Sequence, residues 1–385
     1  MIKKIRTDKS DYFWAFLIIP LCLIFPMISS VIAIMLSAVS KKKSTFKFSI
    51  ICIASLLAYY NSVKIPENDL NSYYNIFQQY STIDYWSLIR DELEKEHLYY
   101  LIMKLHSSLN LSFEVFIYTT TLFAYTIYAY SLDKLNITNL KYFDFIIIIM
   151  MLSPILFNNS AHLHRQFLSA SIFMLALVTR ENFFRWFLYI VGFSLHVSII
   201  VPIFIIEIIR FKNFSIKYLI IILSVCFIFV QLLSNYKLGQ EFDFLQNIYW
   251  RLEYGSKANY LKLNESTKIL LVFFMICNYL LYSNSKFIVN NEQLQFLKFN
   301  IIFSFFIVLF SLNELYNELT LRLSFFVLFS APLALFFIIK QLSQNARTLI
   351  AFIVIMISFL LPILSTWEYD LSNCSLIVGV LCELL

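Results

Sequence analysis

Glycine is nearly missing from this chain, with 4 residues in 385, where average usage of about 7% would give roughly 27. Many transporters rely on glycine-rich close helix packing and on Gly/Pro-broken helices at their binding sites, and that composition is not here. No glycine-rich phosphate loop occurs either, which removes support for ATP-driven chemistry. Charge is also scarce: 14% of residues are charged and 60% are hydrophobic, against about 25% charged in soluble domains. That balance excludes a water-soluble enzyme and a disordered chain. The 6 cysteines show no zinc or redox spacing, and Cys22, Cys52, Cys226 and Cys277 lie inside apolar runs as small hydrophobes. A serine nucleophile elbow is missing. So is a DxD-type carboxylate pair in an outer loop, which argues against a metal-dependent sugar transferase; no metal site and no cofactor is expected. Basic residues sit in short turns and build no nucleic-acid surface.

What the chain has instead is 41 Phe and 24 Tyr, a mean hydropathy of +0.73, and apolar runs along its whole length that are long enough to cross a bilayer. Strand-like alternation is absent, against a transmembrane barrel. The expected fold is all-α: a polytopic membrane helical bundle of about 12 spans, forming a single integral-membrane domain over 1–385. The spans are placed at 13–38, 48–64, 113–132, 142–158, 165–179, 186–196, 197–210, 217–235, 268–283, 297–312, 321–340 and 348–366. The basic tail Met1–Lys9 resembles the n-region of a signal peptide. The run after it far exceeds a signal peptide's apolar core of about 7–15 residues, so it reads as an uncleaved span.

Half of the 30 Lys and Arg lie in one set of short connections, among them Lys41–Lys43, Lys47, Arg180, Arg185, Arg210 and Lys212. The positive-inside rule assigns that set to the cytoplasm. The two long connections, 64–112 and 236–267, then face outward. The basic tail favours a cytoplasmic N-terminus, whereas the span count places it outside; the count is adopted. Arg185 and Arg210 both fall on the inner side, so 186–210 reads as a short helical hairpin turning near His196, with one ordinary span as the alternative. Each outer loop holds an amphipathic surface helix. In the first, Leu98, Leu101, Ile102, Leu105 and Leu109 share a face, after a polar stretch from Pro66 to Ile83. In the second, Leu245, Ile248, Tyr249 and Leu252 do so.

Ionisable residues at membrane depth are functional candidates. Arg165 opens a span amid small residues, where a guanidinium can hold a phosphate by bidentate hydrogen bonds; the bland alternative is snorkelling. Arg322 and Arg251 are further outer cations. Arg322 also fits an ordinary helix ion pair, through Glu314 and Glu318 at i−8 and i−4. His196 suits a general base or a structural hydrogen bond. Asp69, with Tyr73 and Tyr74, offers a carboxylate and rings that suit sugar binding or a plain polar loop. His162 and His164 lack the acid or cysteine partners of a metal site.

Taken together and in order, these segments resemble the Wzy-type O-antigen polymerases, in particular the EpsG-like branch. The resemblance rests on Asp69-x-x-x-Tyr73, Glu96-x-x-Tyr99 leading to Leu109-Asn110-Leu111-Ser112-Phe113, Arg165-Gln166, Leu195-His196-x-Ser198 and Arg322. A glycine usual before the aspartate is replaced here by Glu67-Asn68. The resemblance implies an integral-membrane glycosyltransferase of the bacterial inner membrane, independent of metal and nucleotide. It would move a growing glycan from undecaprenyl pyrophosphate to the non-reducing end of a lipid-linked repeat unit at the periplasmic face. Its implied partners are the lipid-linked oligosaccharide, membrane lipids and, as a candidate, a chain-length regulator protein. Arg165, Arg322 and Arg251, with Tyr73, would bind pyrophosphate; His196, or else Asp69, would act as base. A lipid-linked oligosaccharide flippase and an O-antigen ligase are the competing readings, with a membrane acyltransferase behind them.

Overall fold

The computed structural model describes residues 26–39, 43–80, 97–135, 163–212, 216–235, 265–283, 291–313 and 316–330, with short pieces between 147 and 161 and residue Leu349. The described residues form twelve α-helices and no β-strand. Those up to His196 make one compact unit, and those from Val197 to Ser330 a second.

The first unit contains α1 (Pro26–Val39), α2 (Lys43–Ser62), α3 (Asn68–Tyr80), α4 (His97–Ser108), α5 (Phe113–Leu135), α6 (His164–Val178) and α7 (Asn182–Leu195). Helix α2 packs between α1 and α5, α6 packs on α5 and α7, and α4 lies against α3, α5 and α7. With so little glycine, small hydroxyl residues make the close contacts. Ser30 Oγ donates to the Cys52 carbonyl and Ser49 Oγ to the Ala33 carbonyl, both at 2.9 Å. The hydroxyls of Ser55 and Tyr118 meet at 2.7 Å. The buried Gly192 matters at one place: Ser169 Oγ of α6 donates to its carbonyl at 2.9 Å.

The second unit contains α8 (Ile200–Lys212), preceded by a 3-10 turn at Val197–Ile199, then α9 (Ile216–Asn235), α10 (Glu265–Ser283), α11 (Asn291–Phe310) and α12 (Asn317–Leu328). Helix α11 is its centre and packs against each of the other four. Phe299, Phe303, Phe306 and Phe310 run along α11 with successive ring centroids 5.1, 6.0 and 4.3 Å apart. Asn300 Nδ2 donates to Asn278 Oδ1 at 3.4 Å, and the Ser330 hydroxyl donates to Asn300 Oδ1. Buried amides thus pair with each other, as an apolar surrounding requires.

Among the described residues, α11 is the one helix long and apolar enough to cross a membrane; shorter apolar helices occupy Phe46–Ser62, His164–Val178, Ile216–Val225 and Thr267–Ser283. The 15 residues of α6 rise about 22 Å, short of a hydrocarbon core of about 30 Å. The expected spans over 48–64, 113–132, 165–179, 217–235, 268–283 and 297–312 coincide with described helices to within a few residues. Most of 142–158, the span at 348–366 and the surface helix around 245–252 lie outside the described residues.

Three local outcomes differ from the sequence reading or sharpen it. The polar stretch after Pro66 is a helix, α3, with Asp69 in its first turn, where a carboxylate complements the helix dipole. In α4 the buried stripe is Tyr99, Met103 and Ser107, while Leu105 and Leu109 of the expected apolar face stay exposed. The packed side is set by the contacts of α4 with α3, α5 and α7 and not by the leucine periodicity. At 186–210 the chain does break at His196, whose backbone is extended (φ −159°, ψ 127°). Pro202 sits in the first turn of α8, where its missing N–H breaks no helical bond.

Candidate functional site: an arginine held by two tyrosines

Arg165 stands in the first turn of α6 and is half-buried. Its Nε donates to the Tyr73 hydroxyl at 2.9 Å and its Nη1 to the Tyr100 hydroxyl at 3.0 Å. Its guanidinium carbon also lies 4.9 Å from the Tyr73 ring centre and 5.7 Å from that of Tyr100. The two phenols orient the planar fork. Burial is the main reason the Tyr73 phenol is pushed up to about 12; the Asp69 carboxylate raises it further, while Arg165 opposes both. At neutral pH Tyr73 is therefore a neutral hydroxyl.

Sequence places those tyrosines far apart, and the fold gathers them through a ring cluster. Tyr99 is fully buried and meets Tyr73, Tyr100, Phe116 and His164 with centroids 5.4, 5.9, 5.5 and 5.9 Å away. The Lys104 ammonium donates to the Tyr80 carbonyl and ties α4 to the C-terminal end of α3. The turn between α4 and α5 explains the Leu109-Asn110-Leu111-Ser112-Phe113 segment. Asn110 takes the left-handed conformation (φ 56°), which asparagine tolerates, and the Leu111 N–H returns to the His106 carbonyl at 3.1 Å. Ser112 then caps α5, its Oγ accepting from the Val115 N–H at 3.4 Å.

Beneath Arg165 lies a buried polar layer. His164 Nε2 is 2.8 Å from Thr120 Oγ1, and its Nδ1 is 3.3 Å from the Ser160 carbonyl. Ser160 Oγ accepts from Asn61 Nδ2 at 2.9 Å and from the Tyr125 hydroxyl at 3.3 Å, and donates to the Phe157 carbonyl at 2.7 Å. His164 is thus a buried hydrogen-bonded residue, anchoring the start of the helix that carries Arg165.

Helices α6 and α7 run antiparallel, with Ser169 against Gly192 and the rings of Phe173 and Tyr189 at 6.5 Å. Continuing this register by one turn brings His196 level with Arg165. His196 is 4% exposed and closes α7, its N–H donating to the Gly192 carbonyl at 3.0 Å. The structure therefore brings Arg165, Tyr73 and Asp69 together and puts His196 at the same end of the unit. Arg322 belongs to the second unit. It pairs with Glu318 of its own helix through Nε at 3.0 Å and Nη2 at 2.8 Å, the i,i+4 ion pair of the bland alternative. Arg251, Glu314 and His162 lie outside the described residues. Among the described residues no group of three or more His, Cys, Asp or Glu is placed to hold a metal ion.

Sequence reasoning missed Tyr100. Its signal was the adjacency to Tyr99 at the start of an amphipathic helix, where leucine periodicity drew the attention. It also missed the layer formed by Asn61, Thr120, Ser160 and His164, because single polar residues in apolar runs carry no spacing pattern.

Among the described residues the structure is all-helical, with apolar helices and an arginine set among tyrosines, an arrangement that suits an anion. The sequence model of the EpsG family matches residues 47–376, and the chain belongs to that family. This membership makes it a membrane protein of the polysaccharide-polymerase type, acting in polysaccharide biosynthesis. No curated protein and no solved structure matches it.

Proposed function

We propose that this protein polymerises a surface polysaccharide such as O-antigen. In this reading a growing glycan is transferred from undecaprenyl pyrophosphate to the non-reducing end of a lipid-linked repeat unit. The bond between the anomeric carbon and the pyrophosphate oxygen breaks, and its electron pair leaves with the pyrophosphate. A new bond forms from that carbon to an acceptor hydroxyl, whose proton passes to a base. Neither metal nor nucleotide enters the step.

The observation that carries this reading is the orientation of Arg165 by Tyr73 and Tyr100. A guanidinium fixed in advance stabilises charge that develops on a leaving pyrophosphate without reorganising during the reaction. His196, level with Arg165, is the proposed base, and Asp69 is the second choice. Arg322 and Arg251 are proposed as further pyrophosphate contacts. The proposed setting is the bacterial inner membrane, with about 12 spans, the active face periplasmic and Lys41–Lys47 cytoplasmic. Membrane lipids are its surroundings, and a chain-length regulator protein is a proposed partner.

Deletion of the gene tests the reaction class. A polymerase deletion leaves single-repeat, unpolymerised lipopolysaccharide at the cell surface. Loss of all repeats from the surface lipopolysaccharide would point to a flippase or a ligase instead, and a full ladder of chain lengths would remove all three.

A further inference from the structure

Tyr99 of α4 has no role in the reaction above, yet its ring stands where side chains of four helices meet. It is fully buried. Its ring centre lies 5.4 Å from that of Tyr73 on α3, 5.5 Å from Phe116 on α5 and 5.9 Å from His164 on α6. It also meets Tyr100, its neighbour on α4, at 5.9 Å with the ring planes at 81°. Two of these four rings, Tyr73 and Tyr100, carry the hydroxyls that accept from Arg165 Nε and Nη1 at 2.9 and 3.0 Å. The other two are anchored elsewhere. His164 has Thr120 Oγ1 2.8 Å from Nε2 and the Ser160 carbonyl 3.3 Å from Nδ1. Phe116 packs on the rings of His106, Phe113 and Phe77 at 5.3, 6.0 and 6.1 Å. Tyr99 thus links an anchored pair of rings to the pair that holds the guanidinium.

Tyr73 and Tyr100 lie on different helices, and each hydroxyl sits at the far end of its ring. A slight tilt of either ring therefore moves its oxygen out of line with the guanidinium. Both rings share Tyr99 as a neighbour, and aromatic pairs favour defined angles between their planes. We propose that Tyr99 is a positioning residue: its ring sets the two phenol acceptors together and, through them, the plane of Arg165. A cation oriented in advance binds more tightly than one that must be ordered on binding. An aliphatic side chain would fill the space without fixing a ring plane. The inference rests on the polymerase reading, because it takes a lipid diphosphate as the ligand of Arg165.

The test uses the full-length protein in detergent, with farnesyl diphosphate as the probe and Kd as the readout. Tyr99→Leu should raise Kd about ten-fold, as far as the double variant Tyr73→Phe, Tyr100→Phe does. Tyr99→Phe keeps the ring and should recover most of that loss. The decisive comparison adds Tyr99→Leu to the double variant. A residue acting through the two hydroxyls then has nothing left to position, and Kd should change by less than about two-fold. A merely structural residue would cost the same again in that background. Should Tyr99→Leu not fold, His164→Asn, which takes away a ring packed on Tyr99, serves the same comparison. Wild-type affinity in the leucine or asparagine variant, or a full further loss in the double background, overturns the role of Tyr99 and leaves the polymerase reading intact. Wild-type protein that does not bind the probe, or an Arg165→Ala variant that binds it equally well, overturns both.

Discussion

Arg165 Nε donates to the hydroxyl of Tyr73 at 2.9 Å, a contact between residues 92 positions apart in sequence. With the matching bond from Nη1 to Tyr100, it sets the plane of the guanidinium. This hydroxyl pair makes the arginine more than a snorkelling cation, and its removal has a defined consequence. Tyr73→Phe and Tyr100→Phe keep the rings and lose the acceptors. Each should lower polymer formation by about 10-fold, and the double variant should cost less than the product of the two, since both act on one group. Arg165→Ala should lose about 10²–10³ in rate, and Arg165→Lys should restore little of it. Lipopolysaccharide ladders from cells matched for protein level measure all five.

His196 closes α7 at the level of Arg165. If it takes the acceptor proton, His196→Ala and His196→Gln should each lose about 10²–10⁴ in rate while membrane insertion persists. Glutamine keeps a hydrogen bond and cannot accept the proton. A full ladder with His196→Gln transfers the role to Asp69, where Asp69→Asn becomes the decisive variant.

Tyr73 gives the protein a pH signature. Its phenol is raised from 10.0 to about 12, chiefly by burial. The unfolded chain therefore ionises first as pH rises. The stability contributed by the neutral folded form is complete below about pH 10 and is lost as pH climbs through about 12. Thermal unfolding in detergent should show an alkaline decline in this window that is shallower in Tyr73→Phe. Identical alkaline limbs would falsify the assignment.

The left-handed backbone of Asn110 (φ 56°) separates two further substitutions. Asn110→Gly should be tolerated. Asn110→Val forces a β-branched residue into that region at a cost of roughly 1–2 kcal/mol, read as a lower melting temperature. Because this turn sets α4 on α5, Asn110→Val should also weaken the hold of Tyr100 on Arg165 and shorten the polysaccharide ladder.

Hydrophobic run length and the distribution of Lys and Arg determined, without coordinates, that this chain is helical, belongs in a membrane and has its helices near 48–64, 113–132 and 165–179. These signals are local: a helix satisfies its own backbone hydrogen bonds, so a stretch of apolar side chains is enough to announce it. They also marked Arg165, because a charge inside an apolar run is costly wherever the run folds. Local signals do not say which distant side chains meet that charge. Tyr100 is ordinary in sequence, an aromatic in a chain with 24 tyrosines. Only the tertiary packing of α3, α4 and α6 brings it and Tyr73 to Arg165. The orientation of α4 was likewise decided there, since lipid and protein interior both accept leucine. Only packing put Tyr99 and Met103 inward and left Leu105 and Leu109 outside.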